Sequence, residues 1–372
     1  MTDQKKNKKK PAVELVSLAD YGTNKIHHWI STGIHPLDFI IRPGEGGIPS
    51  GKITMIFGEE SSGKSTLLAY ILKNAQAMAF ITLLVDMENT FNEDFASRTG
   101  LDPNKLQMLS HKDGKLRRPP DTIEELEDAI VSYLKDLFAG KFDPKVNGKF
   151  VEKDPMTPVI IGIDSLGALQ TDARLKEGKK MIGDKANALS TFLPRIAGLQ
   201  RHYPNFTVVL INQIRDNLDM GMFKKGPDYK IPYGRALKHY TSLHIHLENQ
   251  VGIYNEVEKK YTAAIIKAAI TKSKVGKPFG RCYVYNRFAK GLDNAKSSLM
   301  FLADNGVIKK DDGAKASYRC KSFTVDNLFI DGVQAGILKQ TKKSEEYEKV
   351  KLGQANEFFK KYPWKKCTKE LK

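Results

Sequence analysis

Four stretches of the chain are apolar at nearly every position: Ile53 to Phe57, Phe80 to Val85, Val159 to Ile163 and Thr207 to Ile211. Runs without polar alternation suit strands buried on both faces, the situation of central strands in a parallel sheet covered by helices. Between them the period changes. Thr122 precedes Glu125 at capping-box spacing, and Ile123, Leu126, Ile130, Tyr133, Leu134 and Leu137 recur at helical intervals. A second helical run extends from about Ala186 to Arg201, with Leu189, Phe192, Leu193, Ile196 and Leu199 on one face and Pro194 as a kink. Strand and helix signals that alternate from Lys52 to about Tyr285 predict an α/β fold with a mostly parallel central sheet flanked by helices. Residues 140–158 interrupt the pattern with Gly, Pro and Lys and read as a surface insertion. Beyond Gly291 the strand signal weakens, and a small C-terminal α+β domain is expected there. No internal repeat is visible.

Composition narrows the function. The 372 residues are enough for two or three domains with a large core. Lysines and arginines number 60 against 43 acids, a formal charge of +17 that points to a polyanion such as nucleic acid or an acidic membrane surface. No apolar run approaches the length of a membrane helix, and the lysines of residues 1–10 have no apolar region behind them. That decapeptide reads as a mobile basic arm. Cys282, Cys320 and Cys367 form no CxxC pair, so a reducing cytoplasm is expected and neither a disulfide framework nor a zinc knuckle is supported.

The most specific motif is Gly58-Glu59-Glu60-Ser61-Ser62-Gly63-Lys64-Ser65, a G-x-x-x-x-G-K-[ST] sequence between a strand and the helical run that begins at Thr66. Its glycines let successive backbone N–H groups face phosphates at a helix N-terminus. Lys64 would place a charge at the β/γ oxygens, and Ser65 would offer its hydroxyl to Mg²⁺.

Three strand ends supply partners for this loop. Asp164 closes the run Val159 to Ile163 and is the metal-holding acid expected beside a P-loop; the alternative is a helix-capping acid. Glu88, just past another buried strand, is assigned as the general base that activates water, against a solvated loop acid. Gln213 can donate to a γ-phosphate, which makes it a nucleotide sensor, although an ordinary strand-end amide fits equally well.

Further motifs follow in order. Ile30-Ser31-Thr32-Gly33 with Leu37-Asp38, Gly46-Gly47-Ile48-Pro49 and Gly51-Lys52 precede the P-loop. Val85-Asp86-Met87-Glu88, Ile163-Asp164-Ser165 with Ala168-Leu169, Ile211 to Arg215, and Gly234-Arg235-Ala236-Leu237-Lys238-His239-Tyr240 come after it. Together these resemble the RecA family of DNA strand-exchange recombinases, in its bacterial and phage form, over about residues 30–335. The resemblance implies a RecA-type P-loop NTPase core, a DNA-dependent ATPase activity, and ATP with Mg²⁺ as cofactors. Thr66 completes the implied phosphate cradle. Asn92 and Phe95 fall where the family holds adenine, with Asn in place of an acid. Lys272 and Lys274 fall where the family reaches the nucleotide of a neighbouring subunit, so two chains would make each ATP site.

Two segments correspond to the family's DNA-binding loops, Leu175 to Lys185 and Asp216 to Tyr233. The first carries Lys176, Lys179, Lys180 and Lys185. The second carries Lys224, Lys225 and Lys230 beside Met220, Met222, Phe223, Tyr229 and Ile231. Lysines neutralise phosphates, and apolar side chains can wedge between base steps. Solvated loops with incidental apolar residues are the alternative. Arg215, Gly234, Arg235 and Lys238 flank the second loop as further DNA contacts. His244 and His246 alternate on a strand but lack a third metal ligand, and His27 and His28 are set aside for the same reason.

The expected organisation is therefore a basic N-terminal arm and subunit-contact segment (1–29), an ATPase core with the DNA loops (30–293) and a C-terminal domain with a basic tail (294–372). The expected function is an ATP-dependent recombinase that forms a helical filament on single-stranded DNA and exchanges strands with a homologous duplex in a bacterial cytoplasm. A shortened N-terminal helix and the basic tail resemble phage-encoded relatives. The rivals are a hexameric helicase-type motor on the same fold and a regulatory ATPase that does not bind DNA.

Overall fold

The computed structural model of the chain describes residues 17, 25–44, 46–113, 116–141, 145–146, 149–150, 156–177, 183–216, 229–232, 234–255, 257–305, 308–310, 328–331, 347–350, 356, 359–360 and 364–368. Ile53–Gly58 (β1), Ile81–Asp86 (β2), Leu106–Met108 (β3), Val159–Asp164 (β4), Phe206–Gln213 (β5), Leu243–Asn255 (β6), Lys260–Ser273 (β7), Arg281–Arg287 (β8) and Gly291–Asp293 (β9) form one nine-stranded sheet. Its order is β9-β8-β7-β6-β1-β5-β4-β2-β3. From β6 to β3 every pairing is parallel, and from β6 to β9 every pairing is antiparallel. The four expected strands are the contiguous group β1-β5-β4-β2, and every position of β1, β2 and β4 is buried.

Helices cover both faces. His35–Ile41 (α1), Lys64–Ala77 (α2) and Glu93–Thr99 (α3) contribute to the apolar layer on one face. Ile123–Phe138 (α4), Asp184–His202 (α6) and Gly234–Tyr240 (α7) contribute to the layer on the other, and Asp172–Glu177 forms the short α5. Thr122 caps α4 by accepting from the Glu125 N–H at 3.1 Å. The Glu125 carboxylate does not close the capping box. It binds Arg118 bidentately at 2.8 and 3.0 Å and accepts from the Asp121 N–H at 2.9 Å, because the guanidinium is the stronger partner. Helix α6 runs through Pro194.

Past residue 293, Asn294–Asp304 (α8) sends Met300 and Phe301 into the apolar clusters of the sheet. Ile308–Lys310, Leu328–Asp331 and Tyr347–Val350 form a three-stranded antiparallel sheet. Trp364, on Trp364–Cys367 (α9), stacks with His35 at 5.5 Å and meets Phe39 and Phe301 edge-on or tilted. In the expected insertion, 145–146 pair antiparallel with 149–150. No helix among the described residues is long and apolar enough to cross a membrane.

Because the parallel strands advance in one direction, their C-terminal ends share one edge of the sheet. Register brings Asp164 opposite Asp86 and Gln213 opposite Gly58. The residues expected to carry the chemistry are thus neighbours by topology.

Candidate functional site

The P-loop leaves β1 at Gly58 and enters α2 at Lys64. Gly58 admits no side chain, since a Cβ there would lie 2.0 Å from the Leu247 carbonyl oxygen of adjacent β6. Gly63 caps α2 in the left-handed region at φ 82°, where an L side chain is strained. The Ser62 hydroxyl donates to the Glu59 carbonyl at 2.8 Å, and the Lys64 ammonium donates to the same oxygen. Lys64 is buried. That burial pushes its pKa down, while the charges of Asp164, Glu88, Glu60 and Glu59 pull it back up.

Asp164 ends β4 with its carboxyl buried, and one oxygen, Oδ2, has no hydrogen-bond partner. Burial, with the charges of Glu88 and Asp86, pushes its pKa up to about 6, against a hydrogen bond from Ser65 and the charge of Lys64. An orphaned, destabilised carboxylate oxygen beside a serine hydroxyl fits a divalent cation shared with nucleotide phosphates. Asp86 has a different task. Its carboxylate accepts from the N–H groups of Thr90 and Phe91 at 3.2 and 2.9 Å and so shapes the loop that carries Glu88.

Glu88 and Gln213 meet directly. Gln213 Nε2 donates to Glu88 Oε1 at 3.2 Å, and the Ser165 hydroxyl donates to the same oxygen at 2.6 Å. The sequence motifs assign Ser165 no role, although a hydroxyl directly after the strand-end acid is a readable signal. One residue beyond Ile214 the chain pairs again: Arg215 opposes Lys230 and Asp216 opposes Tyr229 in a two-stranded antiparallel ribbon. This ribbon is the stem of the second loop.

Several expected contacts have other partners here. Asn92 Oδ1 caps α3 by accepting from the Phe95 N–H at 2.9 Å, and the Phe95 ring packs edge-on to Phe91. Lys272 donates to the carbonyls of Lys238 and Thr241, and Lys274 to that of His239, all at the C-terminal end of α7 in the same chain. Carbonyls at a helix C-terminus attract cations, which accounts for the arrangement. Burial and the neighbouring Lys274 push the Lys272 pKa down to about 8.

Among the expected DNA contacts, Arg215, Lys230, Arg235 and Lys238 are exposed, Gly234 starts α7 and Lys176 belongs to α5. Lys179, Lys180, Met222, Phe223, Lys224 and Lys225 lie outside the described residues. Tyr229 and Ile231, grouped with the wedging side chains, pack against the sheet's apolar layer instead. His246 stacks on Phe57 at 4.7 Å, and no cluster of metal-ligating side chains occurs among the described residues.

The chain matches the family described as RecA N-terminal domain over residues 4–122 and 146–293. It is 28% identical to Protein RecA of Helicobacter pylori (strain Shi470) over 309 residues, covering 82% of this chain and 78% of that protein. The same identity, 28%, holds for Protein RecA of Wolinella succinogenes over 345 residues, 89% of this chain and 88% of the relative. For Protein RecA of Aquifex pyrophilus it is 28% over 291 residues, 78% and 73% of the two chains. The family match starts earlier than residue 30 and stops at 293, and the stretch it omits, 123–145, includes the core helix α4.

Proposed function

The chain belongs to the RecA family, and from that premise we propose that it is an ATP-dependent recombinase that assembles on single-stranded DNA and exchanges strands with a homologous duplex. The contact between Gln213 and Glu88 carries the reading. It joins the expected phosphate sensor to the expected base, two residues before the stem of a lysine-bearing loop.

In this reading the P-loop, from Gly58 to Ser65 with Thr66, cradles the phosphates of ATP, and Lys64 compensates their charge. Ser65 and Asp164 hold Mg²⁺, which when bound neutralises charge on the phosphate oxygens. Glu88 takes the proton of the attacking water, held in place by the Ser165 hydroxyl on its Oε1. Gln213 exchanges Glu88 for the γ-phosphate when ATP enters, and the movement passes through Ile214 to the Arg215–Lys230 stem. Asn92 and Phe95 border the base. Lys272 and Lys274 leave the end of α7 to reach a neighbouring subunit's nucleotide when the filament forms. The DNA contacts are Lys176, Lys179, Lys180, Arg215, Met222, Phe223, Lys224, Lys225, Lys230, Gly234, Arg235 and Lys238. The three-part organisation at 1–29, 30–293 and 294–372 belongs to the same reading.

Strand exchange between a circular single strand and a homologous linear duplex tests it. The chain should convert the pair in the presence of ATP and Mg²⁺, and Lys64→Ala should not. Undiminished exchange by Lys64→Ala would remove ATP from the account.

A further inference from the structure

The two strands of the loop stem are tied to the nucleotide edge by different means. The outgoing strand is tied by covalent continuity, since Arg215 follows Gln213 after a single residue. The returning strand is tied by rings. Tyr229 lies 4.7 Å from His246, ring centre to ring centre, and His246 stacks on Phe57 at 4.7 Å with their planes 8° apart. A Tyr229–Phe57 contact at 6.0 Å closes the triangle. Phe57 and His246 are register partners across β1 and β6, and Phe57 is the residue before Gly58.

Hydrogen bonding does not explain a histidine at this position. His246 is buried, and its Nε2 has no partner, an arrangement that costs stability. What the ring supplies is a flat face held between the last apolar residue before the P-loop and the loop stem. Close-packed side chains yield little when pushed, so a displacement of Gly58 and Phe57 on phosphate entry moves His246 and Tyr229 with them. The pairing of Asp216 with Tyr229 then keeps both strands of the stem in step.

We propose that His246 and Tyr229 are positioning residues that carry the nucleotide state of the P-loop to the returning strand of the second loop, alongside the route through Gln213. The inference rests on the reading of this chain as an ATP-gated DNA-binding protein, and the test separates the two. The readout is the factor by which saturating oligothymidylate tightens binding of a fluorescent, slowly hydrolysed ATP analogue in Mg²⁺. Wild-type protein should show a factor well above one. His246→Ala and Tyr229→Ala should each lower it by at least about threefold, the scale of one or two ring contacts. His246→Phe and Tyr229→Phe should keep it, because the ring faces remain. His246→Ala should leave analogue affinity without DNA unchanged, whereas a merely structural role would lower that affinity and the melting temperature and leave the factor intact.

If His246→Ala does not fold, Tyr229→Ala decides, since Tyr229 is only half-buried. Folded Ala variants with an undiminished factor, or Phe variants that lose as much as Ala, would overturn the inference alone. A wild-type factor of one would overturn the proposed function and the inference with it.

Discussion

Gln213 and Glu88 share one hydrogen bond, Nε2 to Oε1 at 3.2 Å, across the C-terminal ends of β5 and β2. Neither strand neighbours the other in the sheet, because β4 lies between them. The Ser165 hydroxyl, just beyond the end of β4, fills that gap at 2.6 Å from the same oxygen. In the proposed function, the water-activating and phosphate-sensing side chains are therefore parts of one hydrogen-bond network. Glu88→Gln should lower turnover at saturating ATP by about 10²–10⁴-fold while nucleotide binding persists. Gln213→Ala should bind nucleotide and lose stimulation of hydrolysis by single-stranded DNA. Steady-state phosphate release with and without DNA measures both, and wild-type turnover in Glu88→Gln would end its assignment as base.

Asp164 makes the nucleotide-free chain pH-sensitive. Its folded pKa of about 6 lies above the ordinary value of 3.8, so folding favours the protonated acid. The penalty is absent below about pH 4, grows between about 4 and 6, and is constant above that, at up to about 3 kcal/mol. Asp164→Asn should accordingly raise the melting temperature of the nucleotide-free protein at pH 7.5 and have little effect near pH 4. The same variant should lose the extra stabilisation that Mg²⁺ adds to bound nucleotide. A melting temperature at pH 7.5 below that of wild type would contradict the burial argument.

Gly63 tests the geometry of the loop. At φ 82° an alanine is strained, and its Cβ would lie 2.9 Å from Ile266 Cδ1. Gly63→Ala should destabilise the fold by about 1–2 kcal/mol and weaken nucleotide binding further. Chemical denaturation and nucleotide titration read the two effects separately.

Arg235 and Lys238 are exposed on α7 beside the loop stem. If both neutralise phosphates of a single strand, replacing both with alanine should reduce the slope of log affinity against log salt by about 1.4. An unchanged slope, measured by fluorescence anisotropy across a salt series, would remove α7 from the DNA surface.

Much of the fold was legible because its information is local. Uninterrupted apolar runs can be buried only between two layers, so β1, β2, β4 and β5 were readable as central strands before any contact was known. The P-loop was readable for the same reason: its glycines, lysine and serine are consecutive, and their neighbours are a strand and a helix. Strand-end polar residues were readable as candidates, since parallel strands bring their C-terminal ends to one edge. Partner choice was less legible. Glu125 has capping-box spacing, yet Arg118, seven residues earlier, takes its carboxylate. Asn92 and Lys274, to which the resemblance assigns nucleotide contacts, are engaged by α3 and by the C-terminal end of α7 in the isolated chain.

The sequence alone determined that this protein is a mostly parallel α/β P-loop fold with Lys64 at the start of a helix, Asp164 at a strand end and Glu88 just past one, because those features depend on runs of neighbouring residues. Only the tertiary structure decided that Gln213 and Ser165 converge on one oxygen of Glu88, and that His246 is a spacer between Phe57 and Tyr229. Those relationships join residues 17 to 189 positions apart in the chain. Strand order and register bring such residues together, and neither is written in the local pattern of apolar and polar positions.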